Sequence, residues 1–286
     1  FVGTLNKNEF NEDTISTLMV GSTIKKRFDK KSHASDDILL ELIDIFARND
    51  KGLSDLVNFN LNLRKAEILG IAGISGNGQK ALAEVLTGLK DPTSGSIILD
   101  KKDVTNGNTR QKYIHGIAHI PEDRKAMGIA PDLSVEENLI LKNFKDKKFG
   151  RFILNKKNLH QYANNLIEKF NIQYGLKKAP VRLLSGGNIQ KVIIARELSC
   201  EPTVLVALYP TRGLDVGSQE FIHETIMEHK AKGMSTIYIS EDLDELLKIS
   251  DRIAVIFRGK NMGYVDPENT DKFIIGKLMG GLTESD

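Results

Sequence analysis

The strand-like run EILGIAGI (67–74) enters the glycine-rich turn GISGNGQK (73–80), and Leu82, Val85, Leu86 and Leu89 then recur at helical spacing. Strand, tight glycine turn, helix is the context that a phosphate-binding loop requires. The glycines let consecutive backbone N–H groups turn inward as a nest, and the helix N-terminus adds its dipole. The side chains depart from the pattern G-x-x-x-x-G-K-[ST]. Gln79 stands where a phosphate-gripping Lys belongs, and Lys80 where a Ser or Thr would hold Mg²⁺. On its own the loop leaves a plain tight turn open as the alternative.

The rest of the chain predicts an α/β fold. ILLELIDIF (38–46), LVNFNLNL (56–63), SIILD and IAHIP read as strands, and Phe46 reads as core of the first. Later come a helix over 187–199, a strand over 203–208, a helix over 217–231, a strand over 235–240, a short helix over 242–249 and a strand over 252–258. Such alternation predicts a parallel sheet covered by helices. A polar-rich, mainly helical region at about 122–184 reads as an inserted subdomain.

FVGTLNKNEFNEDTISTLMVG at the start resembles NMGYVDPENTDKFIIGKLMGG near the end. In both, a Gly after an apolar residue (Gly3, Gly263) leads to a helical stretch ending in Leu-Met-x-Gly. Two copies of one module predict that 1–21 is the tail of a preceding domain. Residues 22–37 are charged and nearly free of apolar side chains, and read as a linker. The second module then runs over 38–286.

A net charge of +2 gives no electrostatic reason to expect a nucleic-acid partner, and the lone Cys200 suits a reducing compartment. No apolar run reaches the roughly 18–20 residues of a membrane helix. A cytosolic location is expected, with any membrane attachment made through other proteins. The six His are scattered. His115 and His119 are four apart, but Gly116 and the strand-like IAHI that follows argue against a shared helix face, so no metal site is expected. The acids of EDLDE (241–245) read as carboxylates at a helix N-terminus.

Three further stretches, LLSGGNIQK, PTRGLD and TIYISEDLDE, follow the glycine turn in order. With it, they make the chain over roughly 38–286 resemble the nucleotide-binding domain of ABC transporters. The resemblance implies a P-loop NTPase-like ABC ATPase fold: a mainly parallel core sheet covered by helices, an antiparallel β region and an α-helical insertion. PEDRKAMGI, SGGNIQK, PTRGLDVGS and SEDLDEL resemble the second domain of the double-domain ATPase subunits of sugar and nucleoside importers. GNGQ, and a Walker B strand without acids, resemble the nucleoside branch. A simple-sugar importer and a non-transport ABC ATPase are the alternatives.

In that family, domains pair head to tail, and each ATP lies between one domain's phosphate loop and its partner's signature. The resemblance therefore implies two groups of ligand-facing residues. The loop supplies Gly73, Ser75, Gly76, Asn77, Gly78, Gln79 and Lys80. The signature supplies Ser185, Gly186, Gly187 and Asn188, with Asp215 of the D-loop supporting the interface. At the loop's own pocket, Leu208 and Tyr209 replace the Walker B Asp and the catalytic Glu, Glu122 replaces the Q-loop Gln, and Glu241 replaces the switch His. Loss of a general base costs about 10²–10⁴ in rate, and loss of the metal removes several kcal/mol of charge stabilisation. No catalytic residue is therefore expected here. ATP binding at this pocket is expected to be weak, with Mg²⁺ held only at the partner domain's site. Implied partners are the preceding ATPase domain, transmembrane permeases and, indirectly, a solute-binding lipoprotein, at the cytoplasmic face of the membrane.

Overall fold

The computed structural model describes residues 35–146, 149, 155–175 and 179–282. The tail assigned to 1–21 and nearly all of the linker assigned to 22–37 lie outside the described residues.

β1 (Ile38–Arg48) and β2 (Ser54–Arg64) pair antiparallel. β4 (Ser94–Leu99) joins β1, and β5 (Lys102–Asp103) joins β4, giving a four-stranded antiparallel sheet in the order β2-β1-β4-β5. The second sheet has six strands in the order β10-β9-β3-β8-β7-β6. β3 is Ile68–Ala72, β6 Ile117–Ile120, β7 Val204–Leu208, β8 Ser235–Ser240, β9 Arg252–Phe257 and β10 Lys260–Val265. All its neighbours are parallel except β9 and β10.

The central strands are buried on both faces, as their continuous apolar runs ILGIA and VLVAL require. Alternate residues feed two cores. Leu69, Ile71, Val204, Val206, Ile237 and Ile239 pack towards the antiparallel sheet. Ile68, Ala72, Leu205, Ala207 and Tyr238 pack towards helices on the other side.

α1 (Gln79–Thr87) sits between the two sheets and buries Leu82, Val85 and Leu86 there. It stops at Gly88, in the left-handed region at φ +70°, so Leu89 falls beyond the helix and is exposed rather than on its buried face. Phe46 is also not core. Ile45 and Ala47 point inward, a register shift separates Phe46 from Ile43, and the ring is 37% exposed.

α2 (Thr109–Ile114) precedes β6. Between β6 and α5 (Gly186–Leu198) lie α3 (Val135–Ile140), α4 (Lys156–Lys169) and a 3₁₀ turn at Val181–Leu183. Ser134 and Glu137 form a capping box on α3. Val135, Leu139, Ala163, Leu166 and Ile167 share one core with Ile189, Val192 and Ile193 of α5. α6 (Val216–Ala231), α7 (Leu243–Ile249) and α8 (Lys272–Met279) complete the helices among the described residues. No described helix is long and apolar enough to cross a membrane.

Candidate nucleotide-binding site

The glycine turn forms the floor of a cavity of about 500 Å³, lined by Ser75, Gly76, Gly78, Gln79 and Lys80. Gly78 has φ +111°, and a Cβ there would stand 2.5 Å from the Asp55 carbonyl oxygen, so only glycine lets β2 pass this close. Two of the seven predicted loop residues stand behind the lining. Gly73 lies against Ile256 and the Gln79 amide. Asn77 accepts from the Arg258 amide at 2.9 Å and ties the loop to the β9–β10 turn.

The two unusual side chains take opposite courses. Gln79 turns inward and is 1% exposed; its Nε2 donates to the Ile74 carbonyl at 3.0 Å. Its Oε1 has no hydrogen-bond partner among the described residues. Lys80 turns outward, with Nζ 3.8 Å from Glu84 and a side chain 68% exposed. It is a solvated first-turn lysine.

The walls are acidic. Asp50, Asp55, Glu84 and Glu122 line the cavity, against only Lys80 and Lys90. Lys90 is already paired, 3.5 Å from Asp55 and 3.2 Å from Glu84.

At the far wall, Leu208 is buried in β7 and its side chain offers no oxygen. Tyr209 follows in the left-handed region at φ +48°, fixed by its amide bond to the Ile239 carbonyl at 2.9 Å. Burial, reinforced by nearby Glu241 and Glu122, pushes its hydroxyl well above the ordinary phenol range, so it stays neutral. Arg212 lies over the Tyr209 ring and holds Glu122 at 2.8 Å. Mg²⁺ is a hard cation that takes oxygen ligands, and neither side chain at its two expected positions, Lys80 and Leu208, supplies one. An ammonium and an isobutyl group occupy the positions of its expected hydroxyl and carboxylate, and no described cluster of three His, Cys, Asp or Glu could hold a metal. The backbone amides of the turn do fit an anion.

The other predicted residues form a separate cluster. Ser185 is the N-cap of α5, its Oγ accepting from the Asn188 amide at 3.4 Å. The first intrahelical bond runs from Ile189 N to Ser185 O, which leaves the Gly186 and Gly187 amides ahead of it. Asn188 spends its side chain locally, donating to Ser185 Oγ at 3.0 Å and accepting from Gln173 N at 2.7 Å. Asp215 is the N-cap of α6, and hydrogen bonds from the backbone and side chain of Ser218 hold its carboxyl below the ordinary range. A Cβ on Gly187 would lie 2.4 Å from Ser218 Oγ and 3.5 Å from Asp215 Oδ2, so signature and D-loop touch.

Three side chains that sequence reasoning missed clamp the PTRGLD loop between them. Gln190 of α5 donates to the Pro210 carbonyl at 2.7 Å. Arg124 bonds the Arg212 carbonyl. Thr211 donates to Glu245 of α7. Gln190 carried a legible signal, as a polar residue on the stripe that buries Ile189, Val192 and Ile193.

Residues 56–211 match the family model described as "ABC transporter". The chain belongs to the ABC transporter family. It is 38% identical over 283 residues to the glucose import ATP-binding protein TsgD13 of Haloferax volcanii, covering 98% of this chain and 52% of that protein. It is 35% identical over 286 residues to the guanosine import ATP-binding protein NupO of Bacillus subtilis, covering 100% and 56%. The nucleoside import ATP-binding protein NupA of Lactococcus lactis is 38% identical, with 98% and 56% covered. The chain thus spans about half the length of the curated relatives it matches. Among solved structures, a nucleotide-free ATP-binding cassette from an ABC transporter aligns with a TM-score of 0.68 at 24% identity, over 80% of this chain and 91% of that one. A cassette dimer bound to ADP and Pi aligns with the same TM-score at 20% identity, over 81% and 100%. These two carry the fold alone: it is that of an ABC ATPase.

Proposed function

We propose that this chain is the second nucleotide-binding domain of a double-domain importer ATPase, and that its own pocket does not hydrolyse ATP. Residues 1–21 are then the tail of the first domain, 22–37 a linker and 38–286 the second domain, with a helical subdomain near 122–184. Its coverage of 52–56% of the import ATP-binding proteins supports this division. The observation that carries the reading is the contrast at the two sites. Gln79 faces inward, Lys80 outward, and Leu208 and Tyr209 replace the acids, while the Ser185–Asn188 cap and Asp215 are fully formed.

Phosphoryl transfer relies on positioning and charge stabilisation. This chain's part is to present the Gly186 and Gly187 amides and the Ser185 hydroxyl to an ATP held by the preceding domain. ATP and Mg²⁺ then act at that domain's site, and ATP binds weakly at Gly73–Lys80. The partners are that preceding domain, transmembrane permeases and, through them, a solute-binding lipoprotein, at the cytoplasmic face of the membrane. The glutamine at position 79 and the acid-free strand β7 favour a nucleoside as cargo. The glucose importer, as similar as the nucleoside importer NupA at 38%, favours a simple sugar.

The deciding experiment measures ATP turnover by the full-length protein. Mutation of Ser185 is expected to abolish it and mutation of Gln79 to leave it intact. ATP hydrolysis by residues 1–286 alone would overturn the reading.

A further inference from the structure

Glu245 is a carboxylate on the buried side of α7, 8% exposed, and it is saturated with hydrogen bonds. Its Oε1 accepts from Thr211 Oγ1 and from Tyr238 OH at 2.6 Å, and lies 2.8 Å from His223 Nε2. Its Oε2 accepts from Ser240 Oγ at 2.6 Å. These partners come from the PTRGLD loop, β8, α6 and the segment that leads into Glu241. Burial pushes the Glu245 carboxyl up, but the interaction with His223, with bonds from Ser240 and Thr211, outweighs it and holds the group below the ordinary carboxylate range.

A buried ion held this way is poor value as stability alone. Desolvation of each ion is costly, and well-packed apolar replacements are often neutral or stabilising. What such a node does supply is a fixed geometry. Thr211 is pinned by Glu245 from the α7 side, and the adjoining Pro210 carbonyl is pinned by Gln190 from the signature helix. Three residues on, Leu214 N bonds the Thr211 carbonyl at 3.1 Å, and Asp215 follows.

We infer that Glu245 is a positioning residue: through Thr211 it sets the path of the loop that carries Asp215, and so the shape of the surface offered to the partner domain's ATP. The inference rests on the proposed function, because the chemistry it affects lies across the domain interface. The same node joins this loop to Ser240 and hence to the segment around Glu241.

The test is Thr211→Val in the full-length protein, which removes the hydroxyl and keeps the shape. We expect kcat for ATP to fall about tenfold or more with KM within about twofold, since the lost interaction serves the transition state rather than ground-state binding. Thr211→Ser should restore kcat, and Glu245→Gln should lower it as Thr211→Val does. A Thr211→Val protein with wild-type kcat overturns the inference, as does a loss that Ser fails to rescue. Ser185→Ala separates the two levels. If it abolishes turnover while Thr211→Val does not, only the positioning role falls. If both variants turn over normally, the parent reading falls and this one with it.

Discussion

The cavity under the glycine turn and the face formed by α5 with the PTRGLD loop use the same device, a helix N-terminus presenting amides. Their side chains differ. At the cavity, the position that should grip phosphate holds an inward amide, and the walls carry four carboxylates. At the signature face, Ser185 and Asp215 cap their helices and Gly187 leaves room for Ser218. On the proposed function, backbone shape is kept in both places and side-chain chemistry in only one, so that this domain keeps a fold built around ATP while serving as the lid of another domain's site.

The largest effect that would break this contrast is on turnover. In the full-length protein, Ser185→Ala should abolish measurable turnover, a fall in kcat of at least about 10²–10³, the typical cost of removing one preorganised donor to developing charge. A steady-state ATPase assay checks it.

Next comes acidification, which probes the signature side. Burial pushes His119 down to about 4 from 6.5, with Glu197 of α5 opposing and Lys142 adding to the shift. The unfolded chain therefore takes up this proton before the folded one does. Stability is complete above pH 6.5 and is lost as the pH falls towards 4, by about 2 kcal/mol between pH 7 and pH 5. Urea unfolding at the two pH values measures the loss, and His119→Gln should shrink it.

The fold was legible where the backbone dictates sequence. Glycines mark the tight positive-φ turns, and the short apolar runs of β3 and β7, set between helical segments, mark buried parallel strands. Phe46 was misplaced because a strand's apolar run does not say which residues face inward once a bulge shifts the register. EDLDE was read correctly for Asp242 and Asp244, at the N-terminus of α7. Glu245 was missed as a buried group, although it lies beside Leu246 and four residues before Ile249, on the inward stripe. The pairing of Lys90 with Asp55 joins residues far apart in the chain, and local pattern cannot reveal it.

Smaller effects sharpen the contrast at the cavity. Gln79→Lys with Lys80→Ser restores an ammonium and a hydroxyl, and Mg²⁺-dependent ATP affinity measured by titration calorimetry should rise about tenfold, a fraction of what a bound metal can supply. Gln79→Ala marks the floor of the scale, with turnover of the full-length protein within about twofold of wild type.

The surplus of carboxylates around the glycine turn also fixes how the cavity should respond to ionic strength. Phosphate cradles held by cations release their ligand as counterions accumulate, because screening weakens attraction. Here the mobile ions would mask repulsion instead, so whatever anion the amides retain should be held more firmly as salt is added over the range where the Debye length contracts from about 30 Å to about 10 Å.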